Sequence, residues 1–85
     1  MTEDGGTLLH VATRMAATEI MTSLLQKKMN PNIQDENGNT PLHLAYLFGY
    51  RNCTNLLINH HSNENITNKA GKRPNEMGMN LTDDI

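Results

Sequence analysis

Apolar residues in the middle of the chain occur at helical spacing, in two short blocks that Gly49 separates. The pattern predicts one helix that begins after Thr40 and a second from about Arg51 to His60. The positions expected to face inward are Leu42, Leu44, Ala45, Cys53, Leu56 and Leu57. Apolar runs are only a few residues long, so the pattern excludes a membrane-spanning helix.

The residues around the first of these helices are typical of a capped helix start. Thr40 can cap the helix, because its hydroxyl can accept a hydrogen bond from a free backbone N–H. Pro41 then occupies the first helical position, where its missing N–H costs nothing. Gly38 is expected to form the turn that precedes them.

The same pattern occurs earlier in the chain at an offset of 33 residues. Residues 7–12 read T-L-L-H-V-A and align with residues 40–45, which read T-P-L-H-L-A. A further step of the same length carries Gly38 to Gly71 and Pro41 to Pro74. Matches at one fixed period in separate parts of the unit indicate a tandem repeat.

The unit resembles the ankyrin repeat, a β-turn and two antiparallel helices whose signature contains T-P-L-H-x-A. The resemblance implies an all-α fold: an ankyrin-repeat solenoid of antiparallel helix pairs joined by β-turn loops. It covers nearly the whole chain. We expect a single domain over residues 1–85, with repeat one at about 3–35, repeat two at about 36–68 and a partial capping repeat at about 69–85.

Two departures from the family pattern carry structural expectations. The family usually ends its second helix with a glycine, which accepts a positive φ. Lys28 and His61 occupy this position, and each should cost on the order of 1 kcal/mol in the left-handed region. In the third unit, Asn75 and Glu76 replace buried residues, so we expect a polar cap at this end of the stack.

The first repeat begins almost directly with apolar residues and has no polar helix before it. Three explanations remain open: the repeat caps itself poorly, it belongs to a longer protein, or a partner covers this end. The predicted apolar stripe of its second helix is Ile20, Leu24 and Leu25.

Composition and charge narrow the classes of function. A chain of 85 residues with 36% hydrophobic residues forms one small domain. Its formal charge of -2 gives no positive excess for nucleic-acid binding. The single cysteine cannot form an intramolecular disulfide, and the first residues show no secretory signal. We therefore expect a cytoplasmic or nuclear protein, without nucleic-acid or membrane partners.

Histidine and cysteine are the residues that could indicate chemistry. His10 and His43 belong to the T-x-L-H turn, where we expect hydrogen bonds to the threonine and adjacent backbone rather than a metal. His60 and His61 are neighbours, unlike the i, i+4 pair of a zinc helix. Cys53 lies on an apolar stripe, where a thiol behaves as a small hydrophobe. We expect no enzymatic activity, no metal and no cofactor.

The resemblance also draws attention to Asn32 and Asn65. They occupy a late-repeat position that is hydroxylated in some ankyrin proteins. The usual preceding residues, Asp and Val, are replaced here by Asn30-Pro31 and Asn63-Glu64. We therefore expect a structural role for both asparagines in the hairpin.

The resemblance implies where a partner would bind. In this family the turn tips and the exposed side of the first helices form one concave surface, whose outward residues are not needed for stacking. The predicted partner-binding residues are Arg14, Met15, Glu36, Asn37, Asn39, Tyr46, Leu47, Phe48, Lys69 and Lys72. Glu3, Asp4, Gly6, Asn68 and Ala70 align with the same surface.

The segment Tyr46-Leu47-Phe48 is unusual within that surface, because family members commonly carry polar residues at its last two positions. An exposed aromatic residue with apolar neighbours is a candidate binding hot spot. The alternative is that Tyr46 or Phe48 packs onto an adjacent helix.

These features together predict a non-catalytic module that binds another protein through its turn tips and concave face. The alternative is a structural segment of a larger repeat array, or a short stack that forms a homo-oligomer through an uncovered end. About three repeats are needed for a stable array, which keeps this alternative open.

Overall fold

The computed structural model describes residues 7–78, which contain four α-helices and one short 3-10 helix and no strand. Helix α1 spans Leu8–Arg14, α2 spans Thr18–Gln26, α3 spans Pro41–Phe48 and α4 spans Arg51–Asn59; the 3-10 helix spans Pro74–Glu76. Within each repeat the two helices pack together, and between repeats α1 packs on α3 and α2 on α4. The predicted all-α stack of helix pairs is confirmed.

Both first helices begin at a capping threonine, as the sequence predicts. The Thr7 hydroxyl accepts hydrogen bonds from the backbone N–H of Leu9 and of His10, at 3.2 and 3.4 Å. The Thr40 hydroxyl accepts from the His43 N–H at 3.3 Å. Each cap satisfies an N–H that has no acceptor inside its helix.

The core lies between the two helix pairs. Its largest fully buried apolar side chains are Leu9, Met21, Leu42 and Leu57. Ala12 and Ala45 are also buried, and these small residues let the first helices approach closely. The inward positions predicted for repeat two are confirmed as buried, except Leu56, which is half-buried and packs against the core.

The predicted stripe on the second helix of repeat one is wrong at one position. Ile20 is 54% exposed, whereas its neighbour Met21 is fully buried. Met21 lies on the side of α2 that packs towards the rest of the molecule, and its sulfur is 3.8 Å from the Thr13 hydroxyl. Ile20 lies on the outer side of the stack.

The helix ends show the expected left-handed residues. Lys28 and His61 have φ values of 70° and 71°, which confirms the strained conformation predicted for them. Gly49 ends α3 with φ of 73°, and at the equivalent place in repeat one Ala16 has φ of 53°. Glycine accepts this region without the Cβ clash that any other residue incurs.

The polar cap predicted for the third unit is present in the described residues. The 3-10 helix packs against α3, with Pro74 buried and Asn75 and Glu76 exposed. The Glu76 carboxylate accepts a hydrogen bond from the Arg73 N–H at 2.7 Å, which holds this short turn. The rest of the predicted capping repeat, 79–85, lies outside the described residues.

Candidate partner-binding surface

The two described turn tips, residues 35–39 and 68–72, have the same internal structure. In the first, the Asp35 carboxylate accepts from the backbone N–H of Asn37 and of Asn39, both at 2.9 Å. In the second, the Asn68 side-chain oxygen accepts from the N–H groups two and four residues later, at 2.9 and 3.0 Å. A side chain that hydrogen-bonds its own loop in this way favours a turn over a helix or strand.

The tips are also bonded to each other. The Lys69 N–H donates to the Asn37 carbonyl oxygen at 3.0 Å. The side-chain amide of Asn68 donates to the side-chain oxygen of Asn39 at 2.8 Å. The backbone of both tips is therefore fixed by the stack, and the Asn39 side chain has a structural role in addition to its predicted one.

The histidine of each T-x-L-H turn hydrogen-bonds to the tip of the next repeat. Nε2 of His10 lies 2.8 Å from the Asn39 carbonyl oxygen, and Nε2 of His43 lies 2.9 Å from that of Lys72. Because a carbonyl oxygen only accepts, Nε2 carries the proton in both rings. Nδ1 then accepts from the N–H of the capping threonine, Thr7 or Thr40.

Both ring nitrogens of these histidines are therefore occupied. The bonds to the threonine were predicted from the motif, whereas the bonds to the next tip were not. Those bonds span 29 residues in each repeat. The repeated spacing between the histidine and the following tip is the sequence signal that could have revealed them.

Burial lowers the pKa of His43 below its ordinary value of 6.5, and the opposing effects of the Lys72 carbonyl and the Asp35 carboxylate are smaller. Protonation of Nδ1 would also remove the acceptor for the Thr40 N–H. The folded state therefore favours the neutral ring.

We predict that stability is highest above pH 6.5 and falls as the pH drops from 6.5 towards the lowered pKa of folded His43. In this interval the unfolded chain binds a proton that the folded chain does not, which favours unfolding. Urea melts from about pH 8 to about pH 5 measure the effect. The variant His43→Gln should lose this part of the pH dependence, whereas a variant at the exposed His61 should keep it. A wild-type stability that rises below pH 6.5 would contradict the prediction.

An ion pair joins the end of α1 to the first tip. Nη2 of Arg14 lies 3.9 Å from Oδ2 of Asp35, whose side chain is almost completely buried. The other oxygen of this carboxylate accepts the backbone hydrogen bonds of the tip, so Asp35 interacts with both the tip and Arg14. A partner that contacts Arg14 would meet a side chain that this ion pair already orients.

The structure exposes most of the predicted partner-binding residues. Exposed are Arg14, Met15, Glu36, Asn37, Leu47, Phe48, Lys69 and Lys72, and half-buried are Asn39 and Tyr46. Of the further aligned positions, Ala70 is exposed and Asn68 half-buried, while Glu3, Asp4 and Gly6 lie outside the described residues. We call the ten predicted residues the candidate binding surface.

The end of α3 forms the apolar part of this surface. Leu47 is 41% exposed and Phe48 is 47% exposed. The Phe48 ring stacks on Tyr50, with ring centroids 5.5 Å apart and an angle of 28° between the planes. Tyr46 instead packs against the hydrophobic core. The two alternatives for this segment therefore separate by residue: Tyr46 packs inward, Leu47 is accessible, and Phe48 packs on the residue before α4 while it stays exposed.

The asparagines of the late-repeat loops have structural contacts. The Asn32 side-chain oxygen accepts from the Asn63 N–H at 2.7 Å, which ties the loop of repeat one to that of repeat two. The structural role predicted for Asn32 is confirmed. Asn65 donates its backbone N–H to the side chain of Asn63 at 2.8 Å, and its own side chain is exposed.

The remaining candidates for chemistry occupy ordinary structural positions. Cys53 is buried, as predicted, and burial raises the pKa of its thiol. His60 Nδ1 lies 3.1 Å from the Leu56 carbonyl oxygen in its own helix. Within residues 7–78, no three His, Cys, Asp or Glu side chains come together as a metal site. Over the same range, none of the helices has the length and apolar character to cross a membrane.

Comparison with known proteins gives the family. A search of curated proteins finds no match to the chain. A family model described as ankyrin repeats (3 copies) matches residues 1–70. Ankyrin repeats are generally protein–protein interaction modules, and the family is generally non-enzymatic. With this match and the stacked helix pairs, the chain belongs to the ankyrin repeat family.

Proposed function

We propose that the chain is a non-catalytic module that binds another protein through the candidate binding surface. One contrast within α3 carries the proposal. Every residue from Pro41 to Ala45 is buried in the stack, whereas Leu47 and Phe48, in the same helix, are exposed. Large apolar side chains that stay exposed beside polar loops are typical of binding hot spots.

The charges of the tips support a role in recognition. Glu36 makes the first tip acidic, and Lys69 and Lys72 make the second basic; all three are exposed. Since the tip backbones are already hydrogen-bonded to each other, these side chains are what a partner would meet. Opposite charges at fixed separation favour one orientation of a partner over others.

The variant Leu47→Ser with Phe48→Ser should weaken partner binding at least tenfold and leave the chain folded. Each substitution removes exposed apolar area from the proposed contact, and truncation of a hot-spot residue lowers the binding free energy by about 1–2 kcal/mol or more. Affinity capture from cell lysate, beside circular dichroism melts of the same samples, measures both effects.

Ile20→Ser provides the matched control, because Ile20 is also an exposed apolar helix residue but lies on α2. Its capture of the partner should equal that of the wild type. Loss of helicity in the double variant would assign Leu47 and Phe48 to the core, and unchanged capture by a folded double variant would exclude them from binding. Either result would overturn the proposal.

A second candidate function is association through the outer side of repeat one, within a larger repeat array or between copies. The exposed position of Ile20 favours it, because isoleucine is among the residues most often buried in folded proteins. Sedimentation over a range of concentrations separates the candidates, since only the second predicts self-association of the isolated chain. A cytoplasmic or nuclear location and the absence of nucleic-acid partners stay predictions.

A further inference from the structure

The outer side of repeat one corresponds, at the 33-residue offset of the repeat, to a side of repeat two that is buried. We call its four apolar residues the end face: Leu8, Val11, Ile20 and Leu24. The residues 33 positions later are Pro41, Leu44, Cys53 and Leu57. All four of the later residues are buried, whereas Leu8 is 59% exposed and Val11 and Leu24 are half-buried. The largest contrast is between Ile20 at 54% exposure and Cys53 at 1%.

The interface inside the molecule shows what this kind of face fits. In repeat two the equivalent residues pack on repeat one, with α3 against α1 and α4 against α2. The end face belongs to the same kind of antiparallel helix pair, and it carries aliphatic residues at the same positions. We therefore expect another pair of helices to pack against the end face, rather than an extended peptide or a small molecule.

The opposite end of the stack restricts how a second copy could supply that pair. The side of α3 that faces away from α1 is covered by the 3-10 helix, with Pro74 buried and Asn75 and Glu76 exposed. At this end of the stack, the end face of a second copy would therefore meet the 3-10 helix and not α3. When two copies instead pack their end faces against each other about a twofold axis, one contact covers both end faces.

Charges beside the end face suit that arrangement. Glu19 lies in the first turn of α2 and Lys27 follows its last residue, and both side chains are exposed. Their separation along the helix is about 12 Å at a rise of about 1.5 Å per residue. If the α2 helices of two copies lie antiparallel, Glu19 of each copy faces Lys27 of the other, and two ion pairs form.

We propose that the chain forms a twofold-symmetric dimer in which two end faces pack together with their α2 helices antiparallel. This inference rests on the second candidate function, and the end face contains none of the ten residues of the candidate binding surface. Because the contact uses the same face on both copies, association stops at two.

Sedimentation equilibrium of the full chain over a range of concentrations tests the proposal. We expect a monomer–dimer equilibrium, and Ile20→Gln should weaken the dimer at least tenfold without loss of helicity. Leu47→Gln is the matched control, since Leu47 is also an exposed aliphatic helix residue but lies outside the end face, and its dimer should be unchanged. A chain that stays monomeric, forms species larger than a dimer, or responds equally to both variants would overturn the dimer.

Charge reversal tests the orientation of the two copies. Glu19→Lys should weaken the dimer about tenfold, because two attractive pairs become repulsive, and adding Lys27→Glu should restore it. Melting curves of both variants verify that α2 remains formed. If the second substitution does not restore the dimer of the folded chain, the antiparallel arrangement is wrong. A monomeric wild type that still captures its partner would refute the dimer alone and leave the candidate binding surface intact.

Discussion

Leu42→Ala is expected to lower the free energy of unfolding by about 2–5 kcal/mol. Leu42 is completely buried in α3, in the cluster that joins both helix pairs. Its truncation removes apolar contacts and leaves a cavity that the surrounding helices fill only in part. Since a small domain has about 5–15 kcal/mol of stability in total, much of the variant should be unfolded well below the wild-type melting temperature.

Urea or thermal melts followed by circular dichroism measure the loss. The matched control is Leu47→Ala, the same substitution at an exposed position of the same helix, which should change stability by about 0.5 kcal/mol or less. Similar losses at Leu42 and Leu47 would contradict the assignment of one to the core and the other to the candidate binding surface.

Gly38→Ala should be the second most damaging change, with a loss of about 2–4 kcal/mol. Gly38 has φ of 79° at the first tip, where an added Cβ would lie 2.7 Å from the Lys69 backbone nitrogen. The substitution therefore combines left-handed strain with a clash against backbone. The clash falls on the N–H that donates to Asn37, so the two tips should separate.

Gly71→Ala separates the two causes. Gly71 has φ of 80° in the second tip, but a Cβ there meets no atom within 4 Å. Only the left-handed strain remains, and we expect a loss of about 1–2 kcal/mol. Equal losses for Gly38→Ala and Gly71→Ala in the same melting experiment would show that the tips are not in contact as described.

Much of the fold could be predicted because its determinants are local and recur. The threonine caps, the proline at the start of α3 and the left-handed Lys28 and His61 each follow from one or two residues and their place in the unit. The polar third unit also follows from a few substitutions, because Asn75 and Glu76 stand where a continuing stack needs apolar residues.

The side of α2 that is buried could not be predicted from α2 itself. Ile20, Met21, Leu24 and Leu25 form one broad apolar face opposite the polar residues of α2, and the pattern does not say which edge of that face a neighbour covers. Burial depends on which neighbour each side meets: Met21 lies towards the rest of the stack and Ile20 lies outside it. A comparison with repeat two alone suggested the wrong residue, because Ile20 aligns with Cys53, which a preceding repeat covers.

The candidate site was predictable in its position and less so in its details. Three consecutive residues of a helix point in directions about 100° apart, so Tyr46, Leu47 and Phe48 cannot all face the same way. The sequence does not say which of them turns inward. The bonds from His10 and His43 to the following tips were also hidden, because they depend on how adjacent repeats are stacked rather than on either repeat alone.

The central claim is that a partner contacts residues that stacking leaves free. It is tested most directly by backbone amide chemical shifts of the isotope-labelled chain, recorded with and without the captured partner. We predict the largest changes at Leu47 and Phe48, with smaller ones at the tips around Glu36 and Lys69. Changes confined to the end face, or to the outer surface of α4, with Leu47 and Phe48 unaffected, would contradict the claim.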